Sequence, residues 1–283
     1  MLIAFSSMKV KDVRFALDIG HNCFLQSFGV NAKDAEKYIK LFNQYTDRKI
    51  YFFVDSGAYS VAHSGKEVNI YEYADKLQHL KNLALPHIEI YPFNLDVIPL
   101  KNDKRSKEQI LQQSMDNYFT LLKLGHPTIQ VLHYYDPYEF WQEITTKCTH
   151  LNFYALGGST KINSKEKRRW MLQAIGDLPE GSRIHLLGCT DRYILEDVPC
   201  TSTDSTSMTM FNIYGIYLNP ESIEERLADD HDVRDGYHPL FSTGKNYELG
   251  TRLGIRHFIT VQRHINSLWE RRFKYLKHIG KLE

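Results

Sequence analysis

Residues 50–57 read IYFFVDSG: a short β-branched and aromatic run stopped by an aspartate, a serine and a glycine. Composition and length make the run a strand, and the polar stop marks its end. The same layout recurs outward in both directions. Candidate strands are Leu2–Ser7, Ile50–Asp55, His87–Asp96, Thr128–His133, His150–Leu156, Arg183–Leu187 and Cys200–Asp204, with an eighth at Phe211–Tyr217. Helical stretches lie between them. Ala32–Thr46 opens with Asn31 as its cap, and Ile70–Leu83 places Tyr73, Leu77 and Leu80 on one face. Ser106–Leu124 carries Ile110, Leu111, Met115, Phe119 and Leu122 at helical spacing, and Asn163–Ile175 is basic on its outer side. Such alternation calls for a mainly parallel sheet, because parallel strands need crossover helices. In 283 residues it predicts an α/β fold, a (β/α)8 TIM barrel forming a single domain. A doubly wound open sheet is the competing architecture, disfavoured because no GxGxxG turn follows the first strand. No linker, low-complexity tract or repeat divides the chain.

A hydrophobic fraction of 42% supplies a large core, and 24% charged residues is the balance of an ordinary soluble protein. No apolar run reaches the ~18 residues that a bilayer requires. The opening MLIAFSSMKV reads as a first strand rather than a secretory signal, so a cytoplasmic location is expected. Cys23, Cys148, Cys189 and Cys200 are scattered without a CxxC pair, which argues for buried thiols over a disulfide framework or a zinc site. From about residue 245 to 283 a basic helical segment is expected. Between Thr251 and Lys281 it holds eight lysines and arginines against the single acid Glu270. A footprint for phosphate and the solvated face of a closing helix both fit that pattern. For its aromatic residues Trp269, Phe273 and Tyr275, the spacing favours core packing.

The residues at the strand ends are more informative. IYFFV ends in Asp55-Ser56-Gly57, HIEIYPFNL in Asp96, TIQVL in His133, LNFYAL in Gly157-Gly158, RIHLL in Gly188-Cys189, and CTST in Asp204-Ser205. In a (β/α) barrel these positions converge on one rim. Singly, each Asp or Ser has an ordinary explanation as a helix cap, and a strand-end histidine as a structural one. Capping does not explain three carboxylates, an imidazole and two glycine turns arriving at successive strand ends. Two carboxylates on one pocket suit chemistry at an anomeric carbon. One attacks the sugar to form a glycosyl ester and the other handles the proton, the pair standing ~5 Å apart in retaining transfer.

Four segments carry a resemblance to a known family. VDSGAYS at 54–60 looks like the DSGGF/DSGGY signature of tRNA-guanine transglycosylases, and FYALGGS at 153–159 is similar to their YAIGG turn. IHLLGCTD at 184–191 resembles their MGVGTP segment, and STDSTS at 202–207 lies where the family carries its nucleophilic aspartate. The DSTS form and the short chain resemble most the compact, phage-type 7-deazaguanine DNA transglycosylases. That resemblance implies an enzyme, a pentosyltransferase that replaces guanine in DNA with a 7-deazaguanine such as preQ0, without a cofactor. Its partners would be DNA, with the guanine nucleotide flipped out, and the free 7-deazaguanine base. It implies Asp204 as nucleophile at C1′, Asp55 as general base for the incoming base, and Tyr59 stacking on the base. Asp96 would bind the purine's Watson–Crick edge, Gly157 and Gly158 would offer backbone contacts, and Ser56 lies within the same substrate-binding signature. His133 falls where the tRNA enzymes carry Gln.

Two departures stand out. The CxCxxC zinc site of the tRNA enzymes is missing from the sequence, which weakens a tRNA substrate and implies no metal. Ala58 replaces the second glycine of DSGG, which disfavours positive φ there. Flipping a base from the stack costs a few kcal/mol, to be offset by stacking, hydrogen bonds and phosphate contacts. The basic terminal segment, with Lys165, Lys167, Arg168 and Arg169, is the expected source of the phosphate contacts. A tRNA-directed transglycosylase, a glycoside or N-glycoside hydrolase, and a non-catalytic nucleic-acid-binding barrel are the competing functions.

Overall fold

The computed structural model describes residues 1–58, 68–99, 104–158, 162–205, 247–279 and 281. Eight strands are present: β1 (Leu2–Ser6), β2 (Cys23–Ser27), β3 (Ile50–Asp55), β4 (Ile88–Pro92), β5 (Gln130–His133), β6 (Phe153–Gly157), β7 (Arg183–Leu186) and β8 (Ser202–Ser205). The described helices are α1 (Val10–Asp18), α2 (Phe28–Phe42), α3 (Ile70–Leu83), α4 (Lys107–Lys123), α5 (Tyr138–Lys147), α6 (Ser164–Asp177), α7 (Arg192–Asp197) and α8 (Tyr247–His278).

The strands form one sheet in the order β4-β3-β2-β1-β8-β7-β6-β5, with every pairing parallel. Its two ends meet. Phe93, just past β4, bridges Ile129, just before β5. The Asn94 N–H donates to the Ile129 carbonyl and the Ile129 N–H to the Pro92 carbonyl, each at 2.8 Å. The result is the expected TIM-barrel-like fold, its two outer strands joined at that bridge.

Period-two alternation sends successive side chains inward and outward. Ala4, Cys23, Leu25, Phe53, Phe93, Ile129, Val131, Phe153 and Ala155 pack as one cluster inside the barrel. The outward residues join the buried helix faces in a larger second layer. Parallel register keeps inward residues in rows near the C-terminal ends of the strands. Ser27 lies beside Asp55, Ala4 beside Asp204, and His133 beside Gly157.

Four expectations are corrected. The segment CFLQS forms β2, buried at all five positions, although the sequence reading passed over it. It ends in polar residues and runs into α2 with no turn between them, so α2 starts at Phe28 behind Ser27 rather than behind Asn31. The strand expected at 211–217 lies outside the described residues. On α4 the buried stripe is Ile110, Ser114, Met115, Tyr118 and Leu121, while Phe119 is exposed.

The fourth correction concerns α8, which runs antiparallel to β1. Phe258 meets Phe5 edge-on, Gln262 accepts from the Ile3 N–H at 2.7 Å, and Asn266 accepts from the Met1 amino group at 2.8 Å. Beyond Asn266 the helix continues past the N-terminal ends of the strands, for about 18 Å at 1.5 Å per residue. Phe273 and Tyr275 on that extension are exposed rather than core. Trp269 is half-buried, its indole N–H donating to the Leu195 carbonyl at 3.1 Å. All four cysteines are free thiols, as expected, and three of them are buried. Among the described residues no helix is long and apolar enough to cross a membrane.

Candidate active site

The C-terminal rim collects Asp55, Asp96, His133 and Asp204. Asp55 ends β3, where the buried Tyr73 hydroxyl of α3 lies 3.1 Å from the Val54 carbonyl and 2.9 Å from that of Phe93. One α3 side chain therefore fixes the ends of β3 and β4 together. Burial raises the Asp55 carboxyl to about 6. The Ser27 hydroxyl and the Gly57 N–H pull it back, and the charges of Asp96 and Asp204 push it further up. That Asp96 and Asp204 both act on Asp55 agrees with their places at the C-terminal ends of the same parallel sheet, which groups the three carboxylates on one rim.

Asp96 lies on the loop after β4, which α4 pins. Ser114 accepts from the Val97 N–H at 2.9 Å, and Asn117 donates to the Leu95 carbonyl at 2.7 Å. His133, at the end of β5, reaches Asp96 Oδ2 through Nε2 at 2.8 Å, and each side chain is 11% exposed. Burial opposes the charged form of His133, yet the hydrogen bond and charge of Asp96, with the charge of Asp136, raise it above the usual histidine value. Asp136 also accepts from the His133 N–H at 2.8 Å. Tyr135 stacks flat on the imidazole with ring centroids 5.0 Å apart.

Gly157-Gly158 has a further structural reason. At Gly158, where φ is +72°, a Cβ would lie 2.9 Å from the Tyr135 ring and 3.1 Å from His133. The glycine pair gives the His133–Tyr135 stack its room. Gly158 itself is exposed at the rim. In the Asp-Ser-Gly-Ala turn the positive φ falls on Gly57, not Ala58, so the departure from a second glycine costs nothing. Ser56 is fully buried, its hydroxyl 3.4 Å from the Ala58 N–H, where it steadies the turn rather than facing the rim. Tyr59 lies outside the described residues.

Asp204, on β8, is held through one oxygen. Its Oδ1 accepts from the Gly188 N–H at 2.8 Å and stands 3.2 Å from His185 Nε2. The Thr203 hydroxyl, directed at the carbonyls of Leu186 and Cys189, ties β8 to the turn that carries Gly188. His185 was not singled out from the sequence. It sits mid-strand in an apolar context, and only its register against β8 shows its partner.

The cations on this rim come from βα connections. Lys104 and Lys107 flank the start of α4, with the Lys107 ammonium 2.7 Å from the Tyr135 carbonyl. Lys165 and Arg169 are exposed on the first turns of α6, and Lys167 acts electrostatically on Cys189, next to Gly188. Arg168 is engaged with Asp197 at 2.6 Å. By contrast, Arg252 and Arg256 of α8 lie over the Phe15 ring, and Arg272 reaches the Glu196 carbonyl. Arg271, Lys274 and Lys277 lie on the part of α8 beyond Asn266, at the far rim. Among the described residues no cluster of three His, Cys, Asp or Glu side chains is arranged to hold a metal ion.

No protein-family model matches the chain. No curated protein matches it either.

Proposed function

We propose that this chain is a base-exchanging transglycosylase that replaces guanine in DNA with a free 7-deazaguanine base of the preQ0 type. The observation that carries it is the pair of dissimilar carboxylates at one rim. Asp204 is held through a single oxygen, while Asp55 has a proton affinity near neutral. Groups whose environments differ in this way suit the division between nucleophile and acid–base residue.

In the first half-reaction an Asp204 oxygen bonds to C1′ as the C1′–N9 bond breaks. The electron pair leaves with guanine, which takes the Asp55 proton. In the second, the Asp55 carboxylate removes the N9 proton of the incoming base. N9 then bonds to C1′, the ester C–O bond breaks, and its electron pair returns to Asp204. Protons and bonds balance over the cycle, so no external energy source is needed. Asp96, backed by His133, offers an acceptor to the N–H edge of the purine, and the cations on the α4 and α6 connections take flanking phosphates.

The test uses purified protein, duplex DNA and labelled guanine or preQ0, with tRNA as a second acceptor. Wild-type protein is expected to incorporate label into DNA and to form a denaturation-resistant protein–DNA adduct. Asp204→Ala should lose both while unfolding at an unchanged temperature. Full exchange by that variant would remove the assignment. Label in tRNA alone would redirect it to the tRNA substrate, and base released without incorporation would make the protein a hydrolase.

A further inference from the structure

Building on the transglycosylase reading, we propose that His185 is the positioning residue of the nucleophile. In a chain from Ser202 through His185 to Asp204 it fixes the carboxylate so that one oxygen is tied and the other is presented to the sugar.

His185 is fully buried inside the barrel, with Phe53 and Phe93 ring centroids 4.9 and 5.0 Å away. Both of its ring nitrogens are nevertheless engaged. Nδ1 lies 2.8 Å from Ser202 Oγ and Nε2 lies 3.2 Å from Asp204 Oδ1. The register of β7 against β8 accounts for this, since His185 pairs with Ser202 and Asp204 follows two residues on along the same face. An ionised carboxylate only accepts hydrogen bonds, so the imidazole proton belongs on Nε2 and the Ser202 hydroxyl donates to Nδ1. Ser202 thereby selects the tautomer that Asp204 needs.

The Gly188 N–H reaches the same Oδ1 from another direction. Two donors on one oxygen stop the carboxylate from rotating, and among the described residues these contacts leave Oδ2 for C1′. When Oδ2 forms the ester bond, Oδ1 becomes the ester carbonyl oxygen and still accepts from both donors. When the ester breaks, the same donors receive the returning charge. No proton moves at His185 in either step. It differs in this from Asp55, and its contribution is orientation and charge stabilisation.

The first experiment follows the histidine ring by 15N NMR in the wild type, Ser202→Ala and Asp204→Asn. The proton is expected on Nε2 with Nδ1 bare, the Nε2–H resonance shifting in Asp204→Asn and the Nδ1 resonance in Ser202→Ala. A proton on Nδ1 in the wild type would overturn the proposal whatever the protein catalyses. The second measures the adduct-forming rate at saturating DNA in His185→Leu, His185→Gln and Ser202→Ala. His185→Leu should lower that rate on the order of 100-fold, as misplacement of a reacting group by an ångström does, with KM for DNA nearly unchanged. His185→Gln, which restores an N–H near the Nε2 position, should recover most of the loss, and Ser202→Ala should fall between. Wild-type rates in all three would overturn the proposal, as would equal losses in the Leu and Gln variants at equal folded fraction. If the ring carries its proton on Nε2 but the wild type forms no adduct with DNA, the transglycosylase reading fails and this role in it fails with it.

Discussion

Asp55 is held near a value of 6 chiefly by burial, so its charged form is a cost to the fold. The unfolded chain titrates this group near the ordinary carboxylate value, about two units lower. Stability from the protonated form is therefore complete below about pH 4 and is lost as pH rises through about 6. Asp55→Asn removes the charge and keeps the shape. It should unfold at a higher temperature than the wild type at pH 7.5, a gain of roughly 1–3 kcal/mol, and the gain should shrink at pH 5. Base exchange should be lost at both values. Equal thermal shifts at the two pH values would show that Asp55 is not charged against its surroundings.

The elements bring these side chains together through their ends. The α4 helix starts with a capping box between Ser106 and Gln109, and its side chains Ser114 and Asn117 grip the loop that carries Asp96. The end of β6 gives way to a turn so that β5 can present His133 under Tyr135. Gly158→Ala should cost ~1–2 kcal/mol, the penalty of a positive φ with a Cβ and a close contact. Part of this should return in Gly158→Ala with Tyr135→Ala, as urea unfolding of both variants would read out. An unchanged midpoint in the single variant would mean that the turn has room to spare.

Across the whole molecule the candidate site occupies one end of the barrel, and ion pairs and stacked rings occupy the other. The starts of the strands are closed by Arg183 over the rings of Tyr91 and Phe153, with Lys49 paired to Glu89 at 2.5 Å. The extension of α8 leaves from that end, more than one screening length of ~8 Å from the carboxylates at physiological salt. Reversing charge at Lys274, Lys277 and Lys281 together should therefore leave base exchange on a short duplex unchanged. Reversing Lys165 and Arg169 should raise KM for DNA and flatten its dependence on salt. The opposite result in the two sets would place the nucleic acid on the far rim.

The sequence by itself determined the barrel and most of the strand-end residues. Each strand is a local run of apolar residues with a local polar stop, and a parallel barrel gathers all such stops at one end. It missed β2, whose polar finish and direct passage into α2 erase the stop, and it set the α4 stripe on Phe119 instead of Tyr118 and Leu121. Only the tertiary structure decided that His185 meets Asp204, because that contact depends on the register of β7 against β8. It also decided that Asp55 is raised, since burial and like charges converge from strands far apart in the chain, and that the last cations of α8 lie at the far rim. A net positive segment has no direction until packing against β1 supplies one.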